Sequence, residues 1–279
     1  MLDSRHTKSS RQTARVTGHF GEWMQGRLGQ DGPIALISVP CPLFHCDVTV
    51  EDAEVTSFHG LGITLNVEQM EALLGCIDLH MPKRVTVQSS IPVRAGLGAS
   101  TASILSVLRA LTKDALSMEQ AAKICVDVEG ATDPLMHEQF DRLLWASRSA
   151  TLVERLSAPP KFEIVGGLWG EGQATDPADL NFPDITDLVD KWRHAVEQRS
   201  HEKVAELATE SANRTTELRG PKGDPSQEFA LEIGALGYVR AHTGSARGFL
   251  FLPNHTPENA MRWLSDAGYT NPCRFVTGA

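Results

Sequence analysis

The stretch Ile91–Leu111, IPVRAGLGASTASILSVLRAL, constrains the chain more than any other. Gly96 and Gly98 bracket one apolar residue, and the small residues Ala99, Ser100 and Thr101 follow. Ile104, Leu105, Leu108 and Leu111 then recur at helical spacing. The preceding Arg84–Gln88 (RVTVQ) alternates and is β-branched, so it reads as a strand. The order strand, glycine loop, helix start has two readings. One is a tight connection. The other is an anion site, in which glycines let the backbone approach and the free N–H groups of the first helical turn face a negative ligand. A hydroxyl at Ser100 or Thr101 is placed to ligate a cation that travels with phosphate. A dinucleotide-binding fingerprint fits less well, because Thr101 stands where its third glycine belongs, and a Walker A loop is excluded, since no lysine follows the last glycine.

Composition narrows the function classes. The chain has 279 residues, 41% hydrophobic and 22% charged, which suits a soluble globular protein of one large or two ordinary domains. A net charge of −9 argues against nucleic acid as a partner. An anionic ligand then needs a local positive pocket, for which Arg15, Arg94 and Arg247 are candidates beside the three glycine-rich stretches. The five cysteines are scattered and form no C-x-x-C pair, so a zinc site has no support and a reducing, cytoplasmic setting is expected. Residues 1–13 are expected to be a disordered polar tail, and no apolar run approaches the length that spans a membrane.

Along the chain, Ala14–Thr17 reads as a strand start, and Gly18, Gly21 and Gly26 punctuate a loop carrying His19, Glu22 and Gln25. Ile34–Val39 and Phe44–Val50 read as two strands separated by Pro40 and Pro42. Val67–Leu79 has helical spacing, as does Ser117–Val128, with a Ser117/Gln120 capping box and Gly130 as its C-terminal cap. Next, EGATDPLM (Glu129–Met136) sets two carboxylates four residues apart. Either Asp133 caps a turn before Pro134 and Glu129 is a solvated helix end, or the pair serves a bound nucleotide. In the second case one holds magnesium, with Asp127 as a further candidate, and the other accepts a proton from an attacking hydroxyl. Phe140–Leu156 reads as helix. Ala158-Pro159-Pro160 is the expected boundary between domains 14–158 and 159–279. The second half reads as a strand at Phe162–Trp169, helices at Asp187–Arg199 and His201–Arg214, and a helix from Phe229 toward Arg240. A glycine turn at His242–Gly248, a strand at Phe249–Leu252, a helix at Thr256–Ala267 and a strand at Arg274–Val276 complete it. The class is α+β.

PVRAGLGASTAS resembles the phosphate-binding loop of the GHMP kinases, the superfamily of galactokinase, homoserine kinase and mevalonate kinase. GHFGEWMQG (Gly18–Gly26) resembles its first motif and AHTGSARGFLF (Ala241–Phe251) its third. Gly21-Glu22 through Gly26, Ser100–Ala102 and Thr132-Asp133 are most similar to the branch of L-threonine kinases that serve cobalamin side-chain assembly and propanediol utilisation. The resemblance implies a two-domain fold, an N-terminal half like domain 2 of ribosomal protein S5 and a ferredoxin-like C-terminal half. It implies ATP and Mg2+ as cofactors and a small-molecule acceptor, an amino acid. It places Pro92, Arg94, Ala95, Gly96, Leu97, Gly98, Ala99, Ser100 and Thr101 around the phosphates, and Ser100 and Glu129 on magnesium. Asp133 falls at the reacting hydroxyl, and His19, Glu22 and Arg247 face the substrate. The lysine that some members carry in the first motif is absent here. A homodimer is left open as a partner.

Overall fold

A computed structural model describes residues 11–62, 64–77 and 83–278. Residues 1–10 of the expected tail lie outside the described residues, and the first strand already begins at Gln12.

Two long strands organise the N-terminal half. β1 (Gln12–Arg27) and β2 (Ile34–Asp52) pair antiparallel from Gln12↔Val50 to Arg27↔Ile34. The glycine-rich segment expected to be a loop is therefore strand. Register shifts fall between Thr17 and His19, His19 and Glu22, and Glu22 and Met24, the first two spanning Gly18 and Gly21. Such bulges re-aim side chains, and here they turn His19 and Glu22, three residues apart, to the same side. Pro40 and Pro42 likewise fail to divide β2. They fall between its pairings with β5 (Leu143–Ala146) at Ala35–Leu36 and with β4 (Lys83–Ser89) from Cys46 onward, where no ladder bond is forfeited on that edge. β3 (Ser57–Leu61), not foreseen, runs parallel to β4. α1 (Val67–Gly75) carries an Asn66/Gln69 capping box and stops short of the expected Leu79, which is not among the described residues.

α2 (Ala99–Thr112) is the central helix, with every side chain from Thr101 to Leu108 buried. Its serines survive there because Ser103 and Ser106 donate to the carbonyls of Ala99 and Ala102 at 2.8 and 2.7 Å. α3 (Met118–Glu129) has the expected box, with Gly130 left-handed at its end. The expected helix Phe140–Leu156 is instead a 3-10 turn (Phe140–Arg142) and a hairpin of β5 with β6 (Thr151–Arg155). A short apolar run such as LLWA is ambiguous between the two structures.

In the C-terminal half β7 (Glu163–Leu168) leads to α4 (Thr186–Glu197), α5 (His201–Arg219) and α6 (Ser226–Glu232). β8 (Gly237–Arg240) and β9 (Ala246–Phe251) follow, then α7 (Ala260–Asp266) and β10 (Thr270–Val276). The helix expected to reach Arg240 stops at Glu232, and Gly237–Arg240 is a strand. The order β10-β7-β9-β8 is that of a ferredoxin-like βαββαβ unit, and β8 joins β1 at Glu22↔Arg240 to make one continuous sheet. Residues 156–162 cross between the halves without regular structure. The core does not stop there: Trp23 of β1 packs on Phe162 and Trp192 at 5.5 and 6.1 Å. No helix among the described residues is long and apolar enough to cross a membrane.

Arg247 lies inside this C-terminal unit, wholly buried, with its Nε 2.8 Å from the equally buried Asp224. Removing one member of such a pair leaves a buried charge unpaired. Asp224→Ala is expected to cost about 3–5 kcal/mol in urea unfolding, with Asp224→Asn less damaging because a hydrogen-bond acceptor remains. A loss under about 1 kcal/mol would show the pair to be dispensable.

Candidate functional site

The bulged middle of β1, the loop before α2, the loop after α3 and the turn before β9 converge on one cleft of about 340 Å³. The loop holds three left-handed residues at alternate positions, Arg94, Gly96 and Gly98, and Gly98 is the N-cap of α2 with no side chain closing the helix end. Its position is fixed from behind. Ala246 N–H donates to the Ala95 carbonyl at 3.1 Å, and His19 N–H donates to the Leu97 carbonyl at 3.2 Å. A Cβ on Gly244 would stand 2.5 Å from the Ala95 carbonyl carbon. The turn at His242–Gly248 thus buttresses the glycine loop.

Glu129 and Asp133 both reach the cleft because Gly130 ends α3 and the chain doubles back. The turn is tied to the β5–β6 hairpin: Thr132 N–H donates to the Ser147 carbonyl and Trp145 Nε1 donates to the Thr132 carbonyl, each at 2.8 Å. Thr101 Oγ1 donates to Glu129 Oε1 at 2.7 Å and accepts from the Asp133 N–H at 3.3 Å. Burial pushes the Glu129 carboxyl up to about 8 against the opposing bonds from Ser100 and Thr101.

His19 is buried, with Nε2 3.4 Å from Asp133 Oδ2 and Nδ1 3.4 Å from Glu22 Oε1. For His19, burial opposes the charge, but Glu22 and Asp133 outweigh it and raise the ring to about 9. Glu22 is pushed up to about 8, mainly by burial, with His19 opposing and Asp133 adding. Burial would raise Asp133 too, yet His19 holds it below the usual carboxylate range. At neutral pH the imidazolium therefore faces an ionised Asp133 while Glu22 carries a proton.

These shifts fix the sign of a pH effect. The stabilisation from His19 is complete below its unfolded value of 6.5 and is lost as pH rises through about 9. Glu22 and Glu129, raised from 4.5 to about 8, resist ionisation in the folded state, so stability falls across that interval as well. Asp133 acts in the opposite sense only in acid, below its ordinary value of 3.8. Each unit of displacement carries about 1.4 kcal/mol. The melting temperature of the ligand-free protein is expected to fall by several degrees between pH 6 and pH 9. A flat profile in thermal melts would break the proton linkage of the cluster.

Of the expected site residues, the cleft is lined by His19, Glu22, Glu129, Asp133 and most of the run from Pro92 to Thr101. Ala95 is buried behind the loop. Arg247 is a correction: it does not line the cleft, since Asp224 holds its guanidinium in the core. Arg15 pairs with Asp47 at 2.6 Å on the exposed outer part of the β1–β2 ladder. Asp127 is exposed and paired with Lys123, leaving Glu129 as the carboxylate of α3 in the cleft. Gln25 is buried and donates to the Arg240 carbonyl rather than facing the cleft.

Sequence reading missed Arg148 and His242. Arg148 sits on the β5–β6 turn, which a helical reading of Phe140–Leu156 concealed. The His242 ring stacks on Phe182 at 4.0 Å and 4°, with the Arg219 guanidinium also 4.0 Å from the Phe182 ring. Burial first, then Arg148 and Arg219, lower His242 to about 3, so it is neutral. The segment from Trp169 to Asp184 crosses the cleft mouth, with Gln173–Thr175 in the lining and Thr175 Oγ1 2.9 Å from Thr243 Oγ1.

Residues 65–136 match the family model described as the GHMP kinases N terminal domain, and this stretch contains the glycine loop, Glu129 and Asp133. No curated protein matches the chain by sequence. Mevalonate kinase from methicillin-resistant Staphylococcus aureus MRSA252 is similar in structure, with 17% identity over 95% of this chain and 98% of that one and a TM-score of 0.62. Homoserine kinase from Cytophaga hutchinsonii ATCC 33406 aligns at 14% identity over 100% and 98%, with a TM-score of 0.66. A structure described as MDDEF in complex with MVAPP, AMPPCP and magnesium aligns at 12% identity over 96% and 97%, with a TM-score of 0.64.

Proposed function

The chain has the two-domain fold of the GHMP kinases, and we propose that it acts as one, transferring the γ-phosphoryl group of ATP to the hydroxyl of a small molecule. The observation that carries this reading is the convergence, in one cleft, of an uncapped helix N-terminus behind a left-handed glycine loop with the carboxylates of Glu129 and Asp133. Backbone N–H groups of the loop and of the first turn of α2 bind the phosphates. Phosphoryl transfer is mostly positioning and charge stabilisation, which suits a rigid, buttressed loop. Asp133, kept ionised by His19, orients the attacking hydroxyl and takes its proton as the new bond to phosphorus forms.

Ser100 and Glu129 fit Mg2+. Both are oxygen donors, and the half-buried Glu129 carboxyl lacks a countercharge of its own. The set His19, Glu22 and Asp133 also lies within 4.8 Å, but its imidazole suits magnesium poorly. When bound with ATP, magnesium neutralises charge on the β- and γ-phosphates.

The acceptor is an amino acid, L-threonine, giving O-phospho-L-threonine for cobalamin side-chain assembly. The first motif and Thr132-Asp133 favour threonine, while the likeness to homoserine kinase favours L-homoserine equally. The test is magnesium-dependent ATP consumption with L-threonine, L-serine, L-homoserine and simple alcohols, the product identified by mass. Phosphothreonine as the preferred product supports the reading. Turnover on another hydroxyl keeps the reaction and overturns the substrate. Bound ATP with no turnover on any of them favours a regulatory nucleotide-binding protein.

A further inference from the structure

We propose that the cleft recognises the two charges of a zwitterionic α-amino acid, Glu22 taking the ammonium and Arg148 the carboxylate. This rests on the kinase reading above and names the residues that select its acceptor.

The argument begins with side chains that lack partners. Glu22 is 1% exposed, and apart from the Ser38 hydroxyl beside it no group among the described residues donates to its carboxylate oxygens. The cation beside it, His19, is shared with Asp133, whose own charge works against ionisation of Glu22. A buried carboxyl in this state is expensive unless something donates to it. The bulged strand holds it opposite Ser38, whose buried hydroxyl has no group other than that carboxyl to serve.

Arg148 presents the opposite deficit. Among the described residues its guanidinium makes one hydrogen bond, Nη2 to the Asp176 carbonyl at 3.1 Å, and its buried Nε has no partner. No carboxylate among them stands within ion-pair distance of it. An arginine carries five donors in a fork that matches a carboxylate. Beside it, Ser147 Oγ and both His242 ring nitrogens are buried and unpartnered. Arg219, by contrast, is committed to Asp179 at 2.7 Å and to the Phe182 ring. Arg94 lies on the exposed face of the glycine loop.

One cleft thus offers an unsatisfied acid and an unsatisfied base in addition to the carboxylate assigned to the hydroxyl. A neutral polyol compensates neither. A hydroxy acid without an amine satisfies Arg148 and leaves Glu22 bare. A molecule with an ammonium, a carboxylate and a hydroxyl satisfies all three. The ammonium also supplies a countercharge that Glu22 need not share with Asp133, so binding near neutral pH displaces its proton.

Three acceptors with the wild-type protein, ATP and magnesium test this: L-threonine, 3-hydroxybutyrate, which lacks the amine, and 1-amino-2-propanol, which lacks the carboxylate. A site built around charged partners is expected to favour threonine by about 100-fold or more in kcat/KM over either truncated compound. Arg148→Met should remove the preference of threonine over 1-amino-2-propanol, with partial recovery in Arg148→Lys. Glu22→Gln should remove the preference over 3-hydroxybutyrate. If both variants lower all three acceptors by the same factor, or if the wild type uses a truncated compound as well as threonine, the assignment is overturned. Calorimetric binding of the same three compounds without ATP separates this from failure of the kinase reading. Charge-dependent threonine binding without turnover supports the subsite and overturns the kinase, whereas turnover with charge-indifferent binding does the reverse. Neither binding nor turnover overturns both.

Discussion

Asp133→Asn is expected to lower kcat by about 10²–10⁴-fold while leaving ATP affinity nearly unchanged. The substitution keeps the size of the side chain and an oxygen that can accept from the Thr101 hydroxyl, 3.5 Å away. What it removes is the charge and the ability to take a proton. The His19 imidazolium, 3.4 Å from Oδ2, then faces a neutral amide, and among the described residues no other ionised carboxylate stands at the same place. Glu129 is not a substitute: its carboxyl is bonded by the Thr101 hydroxyl and assigned to the cation. The phosphate loop is separately buttressed by Ala246 and His19 main-chain bonds, which is why nucleotide binding survives. Steady-state kinetics with threonine, alongside equilibrium binding of ATP, provide the check. Turnover within a few-fold of wild type would remove Asp133 from the chemistry. A parallel loss of ATP affinity would instead make it a structural support of the loop.

The parts of this site that were legible in the sequence are those written locally. The glycine loop and α2 are adjacent in the chain, and Ser117, Gln120 and Gly130 announce both ends of α3. The order of the two carboxylates after that helix is local as well. What was not legible depends on pairing between distant segments. The glycines of Gly18–Gly26 look like loop punctuation, and only the ladder with β2 turns them into bulges that bring His19 and Glu22 to one side. Arg247 looks available beside a glycine turn, and only the fold reveals Asp224 against it in the core. Arg148 was hidden because Leu143–Ala146 is a run of four apolar residues with no period of its own. The hairpin there is settled by the pairing of β5 with both β2 and β6. The cleft is accordingly half local motif and half long-range sheet geometry, and the residues that choose the acceptor belong to the second half.

Gly98→Val is expected to abolish nucleotide binding in a protein that still folds. Gly98 sits at φ +77°, a conformation that costs a side chain roughly 1–2 kcal/mol, more for a β-branched one. A Cβ there would stand 2.7 Å from His19 Cδ2 and 3.0 Å from Leu135 Cδ1. Neither neighbour moves easily. His19 is buried, with Nδ1 3.2 Å from the Gly21 carbonyl, Nε2 at ion-pair distance from Asp133 and its main-chain N–H bonded to Leu97, and Leu135 is buried in the core. The chain relieves the overlap by displacing the loop and the first turn of α2, the groups that would surround the phosphates. Gly98→Ala meets the same atoms with a smaller side chain and is expected to give an intermediate loss, about tenfold or more in ATP affinity, since donor distances there must be held to a few tenths of an ångström. Binding is followed with a fluorescent ATP analogue, and far-ultraviolet dichroism with a cooperative melt establishes that each variant is folded. Wild-type affinity in folded Gly98→Val would mean that the phosphates are held elsewhere, and with that the roles of Ser100 and Glu129 would lose their anchor.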